Sequence, residues 1–115
     1  MTQGFLNGNL FKVKETIVND FKAFNSTTIT VSGTVQLLNL GGAFANARAV
    51  HIYVDSTAPG KALRYTYDGS TPSAGVGIGR KDNDEFIITE FSNLQKFRVI
   101  QEVAATTTLF ITYLY

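Results

Sequence analysis

Cysteine is absent from the 115 residues, and that one gap removes a disulfide framework, a zinc knuckle and a thiol nucleophile. There is no tryptophan, and His51 is the single histidine, so no second imidazole exists to complete a zinc site or a proton relay. Charge is sparse: charged residues make up 17% of the chain, against roughly 25% in average soluble domains. Ten Lys and Arg stand against nine Asp and Glu, for a net charge of +1. Neutralising a phosphate backbone needs a basic excess, so nucleic acid is not an expected partner. No stretch approaches the roughly 18 apolar residues of a membrane span, and residues 1–5 lack the basic start and apolar run of an export signal. The expectation is therefore no membrane partner, and synthesis and folding in a cytoplasm. Asn25-Ser26-Thr27 matches a glycosylation sequon and reads as coincidence without such a signal.

What is present is apolar and aromatic. Hydrophobic residues make up 44%, with nine Phe and five Tyr. The length is that of one domain with one core, burying roughly 65% of the unfolded chain's surface. With few charges, the surface falls to Thr, Ser, Asn, Gln and Gly, a composition that suits assembly.

Most of the chain alternates with the period of a strand. Residues 1–24 read as an arm leading into a first strand, and a short helix over residues 14–24 competes through Ile17, Val18, Phe21 and Phe24. Both readings bury Phe21 or Phe24. An arm carrying Phe5, Phe11, Phe21 and Phe24 needs its own core or another subunit to hold it. Residues 27–31 and 34–38 are β-branched runs on either side of Ser32-Gly33 and predict a hairpin or a bulge. Residues 48–55 predict a central strand, with Val50, Ile52 and Val54 inward and His51, Tyr53 and Asp55 outward. Residues 62–68 predict the next strand, burying Leu63, Tyr65 and Tyr67. Residues 68–84 predict one long loop, of a length that more often carries contacts than merely connects. Strands over 85–89, 94–102 and 107–115 complete the pattern. Short strands at this spacing, with turn residues between them, predict an all-β fold: an antiparallel β-sandwich of about seven or eight strands over residues 25–115.

No catalytic, metal-binding or cofactor-binding residues emerge. Gly75-Val76-Gly77-Ile78-Gly79 places its last glycine one residue early for a dinucleotide loop and has no helix after it. Asp82, Asn83, Asp84 and Glu85 lack the spacing of a calcium loop and read as a polar turn. No serine stands on a strand-to-helix elbow that would make a triad with His51 and Asp55 or Asp68. The aromatics default to core packing, with Tyr53, Tyr113 and Tyr115 expected to be partly exposed and available for contacts.

One stretch is distinctive as a series: Arg64-Tyr65-Thr66-Tyr67-Asp68-Gly69-Ser70-Thr71-Pro72-Ser73, then Gly75 and Gly77, Glu85-Phe86-Ile87-Ile88, Asn93-Leu94, Phe97-Arg98-Val99-Ile100, and a closing run from Ala104 through Thr106 and Leu109 to Thr112 and Tyr113. This series resembles small β-sandwich virion structural proteins of tailed bacteriophages, of the capsid decoration (cement) or head-fibre type. The first 45 residues carry none of it. The resemblance implies a non-enzymatic virion protein that stabilises a capsid through subunit contacts. Its implied partners are itself, as a homotrimer or other homo-oligomer, and a major capsid protein or another virion protein. Assembly contacts are then expected from Phe5, Phe11, Phe21 and Phe24 of the arm and from Ser70, Thr71, Pro72, Val76, Ile78 and Arg80 of the loop. The alternative expectation is a carbohydrate- or receptor-binding module of a fibre or tail, with a shallow aromatic site.

Overall fold

The computed structural model describes residues 21–73 and 75–115. They form seven strands, β1 (Ala23–Thr30), β2 (Ala49–Ser56), β3 (Lys61–Thr66), β4 (Ile78–Lys81), β5 (Glu85–Thr89), β6 (Arg98–Gln101) and β7 (Thr107–Leu114). A 3₁₀ turn at Gly42–Phe44 and one short helix, α1 (Phe91–Lys96), complete the elements. The strands make two antiparallel sheets, ordered β1-β7-β2-β5 and β4-β3-β6, so the fold is the expected all-β sandwich.

Alternation builds the core. Val50, Ile52 and Val54 of β2 face Tyr113, Ile111 and Leu109 of β7 in register, and all six are buried. Leu63 and Tyr65 of β3 pair with Gln101 and Val99 of β6 and close the layer from the other side. Tyr65 and Phe86 stack across the two sheets with centroids 4.4 Å apart, and Phe97 lies 5.6 Å from the same tyrosine. One end is capped by the 39–47 loop, where Phe44 packs on Tyr113 at 4.4 Å and the Tyr113 hydroxyl donates to the Asn39 carbonyl at 2.8 Å. Tyr113 is thus wholly buried, against the expectation of partial exposure, because it continues the inward row of Leu109 and Ile111.

Further expectations are corrected. The hairpin over residues 27–38 does not form. β1 pairs along its length with β7, while residues 34–38 contribute only an isolated bridge from Gln36 to Val99. Seven paired residues against β7, with Ile29 half-buried against the core, outweigh a short local turn. The strand expected over 94–102 begins as α1, and only Arg98–Gln101 is extended; Leu94 is buried from the helix. The long loop contains β4, and Tyr67, expected on the buried face, is 43% exposed because β3 ends at Thr66. The helical reading of residues 14–24 fails at its end, where Ala23 and Phe24 are strand and residues 21 and 22 are not helical; the arm to residue 20 lies outside the described residues.

Candidate functional site

The motif Thr66-Tyr67-Asp68-Gly69-Ser70 folds as a tight stop to β3. Asp68 accepts the Ser70 N–H at 3.0 Å and the Ser70 hydroxyl at 2.6 Å, with Gly69 at φ +92° between them. These hydrogen bonds hold the Asp68 carboxyl below its ordinary pKa of 3.8 by favouring the ionised form. The Thr66 hydroxyl donates to the Ser70 carbonyl at 2.6 Å, which satisfies a buried polar group. Arg64 then fastens the return path, giving Nε to Glu102 at 2.6 Å and Nη1 to the Gly77 carbonyl at 3.0 Å.

This turn and β4 frame a shallow cleft of about 450 Å³, lined by Tyr65, Thr66, Tyr67, Asp68, Ser70, Val76, Gly77 and Ile78. A neighbouring cavity of about 430 Å³ shares Tyr65, Tyr67 and Ile78 and adds Arg80, Phe86, Thr89 and Asn93. The second lies where edge strands β4 and β5 leave the sandwich open. Arg80 pairs opposite Leu63 in the β4–β3 register, so it occupies an inward position. Its guanidinium carbon sits 4.7 Å from the Phe86 ring centroid and 5.8 Å from that of Tyr65, and Nη2 reaches the Tyr65 hydroxyl at 3.4 Å.

A second surface is the outward side of the four-stranded sheet. Residues directly opposite share a face, and the register makes one row of Thr28, Phe110, Tyr53 and Glu85 and another of Ser26, Thr112, His51 and Ile87. Phe110 is 46% exposed at the middle of this face, with the Tyr53 ring 6.4 Å away. Tyr53 is held by a 2.5 Å hydrogen bond to Asn83, and His51 Nε2 meets Glu85 at 2.7 Å.

The residues expected to make contacts separate in space. Val76 and Ile78 are exposed, as are Ser70 and Thr71. Arg80 is half-buried and lines the cleft. Pro72 is fully buried, so it packs within the domain and presents no surface. Phe24 is exposed and Phe21 half-buried, its ring 5.0 Å from the Arg48 guanidinium. Phe5 and Phe11 lie outside the described residues. Phe110, Phe86 and Asn93 were not among the contact residues expected from the sequence. Phe110 is an aromatic on the outward side of a strand whose inward set is Leu109, Ile111 and Tyr113, and that was the signal for it. Among the described residues no group of three or more His, Asp or Glu is placed to hold a metal ion, and no helix is long and apolar enough to cross a membrane. Compared with protein families, curated proteins and solved structures, the chain matches none.

Proposed function

We propose that the protein is a non-enzymatic structural component of a tailed-phage virion, a capsid decoration or stabilising protein that acts by subunit contacts. The observation that carries this reading is the outward face of the β1-β7-β2-β5 sheet. It sets Phe110 and Tyr53 among Thr28, Thr108 and Thr112 and, among the described residues, no further layer covers it. An aromatic centre with a polar surround of threonines, His51 and the Asp55 and Glu85 carboxylates is the composition of a protein interface core and its rim. The occupants proposed are further copies of this chain, as a homotrimer by analogy with the resembled proteins, and a major capsid protein beneath them.

The test is occupancy on particles assembled without this protein, to which intact chain, a chain lacking residues 1–20, and Phe110→Glu are added back. The proposal expects the intact chain to decorate, and both variants to fold yet lose occupancy. Full occupancy by both variants refutes it. The carbohydrate- or receptor-binding alternative draws its support from a different place, the aromatic cleft beside Tyr67.

A further inference from the structure

An inward position on an edge strand normally carries an apolar residue, and here it carries Arg80, opposite Leu63. Removing a guanidinium from water is costly unless a counter-charge or hydrogen bonds replace the lost hydration. The two aromatic faces at 4.7 Å and 5.8 Å supply part of that compensation. At Nε the rest is missing. Nε is buried with no hydrogen-bond partner among the described residues, and the carboxylate ion pairs found there join His51 to Glu85 and Arg64 to Glu102, leaving Arg80 without one. Among the described residues, the side-chain hydrogen bond of Arg80 is the long one to Tyr65. A guanidinium fork left without an anion, at a cavity of about 430 Å³, is matched by a carboxylate, which it can bind through two parallel N–H groups.

The neighbouring cleft narrows the ligand further. Tyr67, 43% exposed and stacked at 6.3 Å with Tyr65, offers a flat apolar platform. Thr66, Ser70 and the Asp68 carboxylate line the same cleft. Asp68 accepts hydroxyl protons but repels a second negative charge, which disfavours an acidic peptide with several carboxylates. A ring with one carboxylate, an apolar face and hydroxyls satisfies all of these demands. We infer that the two adjoining clefts along β4, one against the 66–70 turn and one against β5, bind an acidic saccharide, its carboxylate on Arg80, its ring against Tyr67 and its hydroxyls toward Asp68 and Ser70. The proposed contacts, Arg80, Tyr67, Asp68 and Ser70, are not on the outward face of the β1-β7-β2-β5 sheet, so the inference holds or fails independently of the decoration role.

The competing account is that Arg80 is only an inward-pointing charge that keeps an edge strand from pairing with other chains. Titration of the intact protein with glucuronate, followed by ¹H–¹⁵N NMR of the Arg80 Nε–H and the amides of residues 65–68 and 86–89, decides between them. Saturable shifts are expected with glucuronate, and binding at least about 10-fold weaker is expected for glucose, which lacks the charge, and for acetate, which lacks the ring. Arg80→Met, which keeps the stem and whose thermal unfolding reports that it folds, should lose about 10-fold or more in glucuronate affinity. Tyr67→Ala should weaken glucuronate and leave acetate unchanged. An absence of saturable shifts with glucuronate, their persistence in a folded Arg80→Met, or acetate binding as well as glucuronate would each overturn the inference.

Discussion

Three glycine-to-alanine substitutions within five residues should have three different costs, and the differences test the geometry of the turn that shapes both clefts. Gly77 has φ +113°, and a Cβ built there lies 2.9 Å from the Tyr65 carbonyl oxygen and 3.4 Å from Thr66 Cγ2. The backbone term is about 1–3 kcal/mol for an L residue in that region. The oxygen belongs to β3 backbone and cannot swing away, so relieving the contact shifts a paired strand, at about 1–2 kcal/mol more. Gly77→Ala should therefore cost about 2–5 kcal/mol, a fall in Tm of roughly 8–20 °C for a domain of this size. Gly75 has φ +84° with nothing within 4 Å of a Cβ, so its substitution carries the backbone term alone, about 1–3 kcal/mol. At Gly79 the backbone is ordinary and the clash, 2.6 Å, is with Cδ of the Lys61 side chain; that flexible stem moves aside, and the cost should stay within about 0.5 kcal/mol. Urea unfolding at one protein concentration, followed by tyrosine fluorescence, gives the three midpoints, with an unchanged slope confirming that the same surface unfolds. Finding Gly77→Ala as stable as Gly75→Ala would refute the close approach of the turn to β3.

Other consequences are open to direct measurement. Phe97 is fully buried and stands against Tyr65 between the sheets, so Phe97→Ala should destabilise by about 3–5 kcal/mol in the same unfolding assay. Burial pushes the Tyr113 phenol above its ordinary pKa of 10.0. The stability this represents is complete below about pH 10 and is lost as pH rises from there through the folded-state value. Tyr113→Phe, which costs about 1 kcal/mol near neutrality through the lost bond to Asn39, should consequently close the gap to the parent protein in strong alkali. The Asp68 carboxyl should titrate by NMR below the usual range, and Ser70→Ala should move it back up. Because that pKa is lowered, what it adds to stability is present above the unfolded value and disappears as pH falls through the folded one.

Much of the sandwich was legible because β2, β5 and β7 carry their inward sets at strict spacing: Val50, Ile52, Val54; Phe86, Ile88; Leu109, Ile111, Tyr113. A two-residue period reports facing directly and survives tertiary packing. Partnership was not legible. Ser32-Gly33 looks like a hairpin turn from nearby residues, yet β1 finds β7 some 80 positions away in register, Thr28 opposite Phe110, and no local signal encodes such a pairing. The helix α1 spans six residues, too short for Phe91 and Leu94 to display a helical period. It starts after Glu90 at φ +77°, a conformation that composition does not announce.

The cleft was half-legible. Sequence reading picked out Ile78 and Arg80 as surface residues of one loop, and their alternate spacing was the signal for a short strand. That Arg80 turns inward onto Phe86, rather than outward to solvent, depends on β4 pairing with β3 and on β5 crossing to the other sheet. Both are tertiary facts. Tyr67 was assigned to the core by the alternation that correctly buried Leu63 and Tyr65; the strand stops one residue too early for the pattern to continue.

The proposal that this domain works by joining other subunits through the outward sheet face is tested most directly by light scattering on the intact chain after size exclusion, side by side with Phe110→Glu. The account predicts a homo-oligomer for the intact chain and a folded monomer for Phe110→Glu, whose exposed side chain can change without disturbing the core. A monomer for the intact chain across the accessible concentration range, or an oligomer indifferent to a glutamate at position 110, would contradict it.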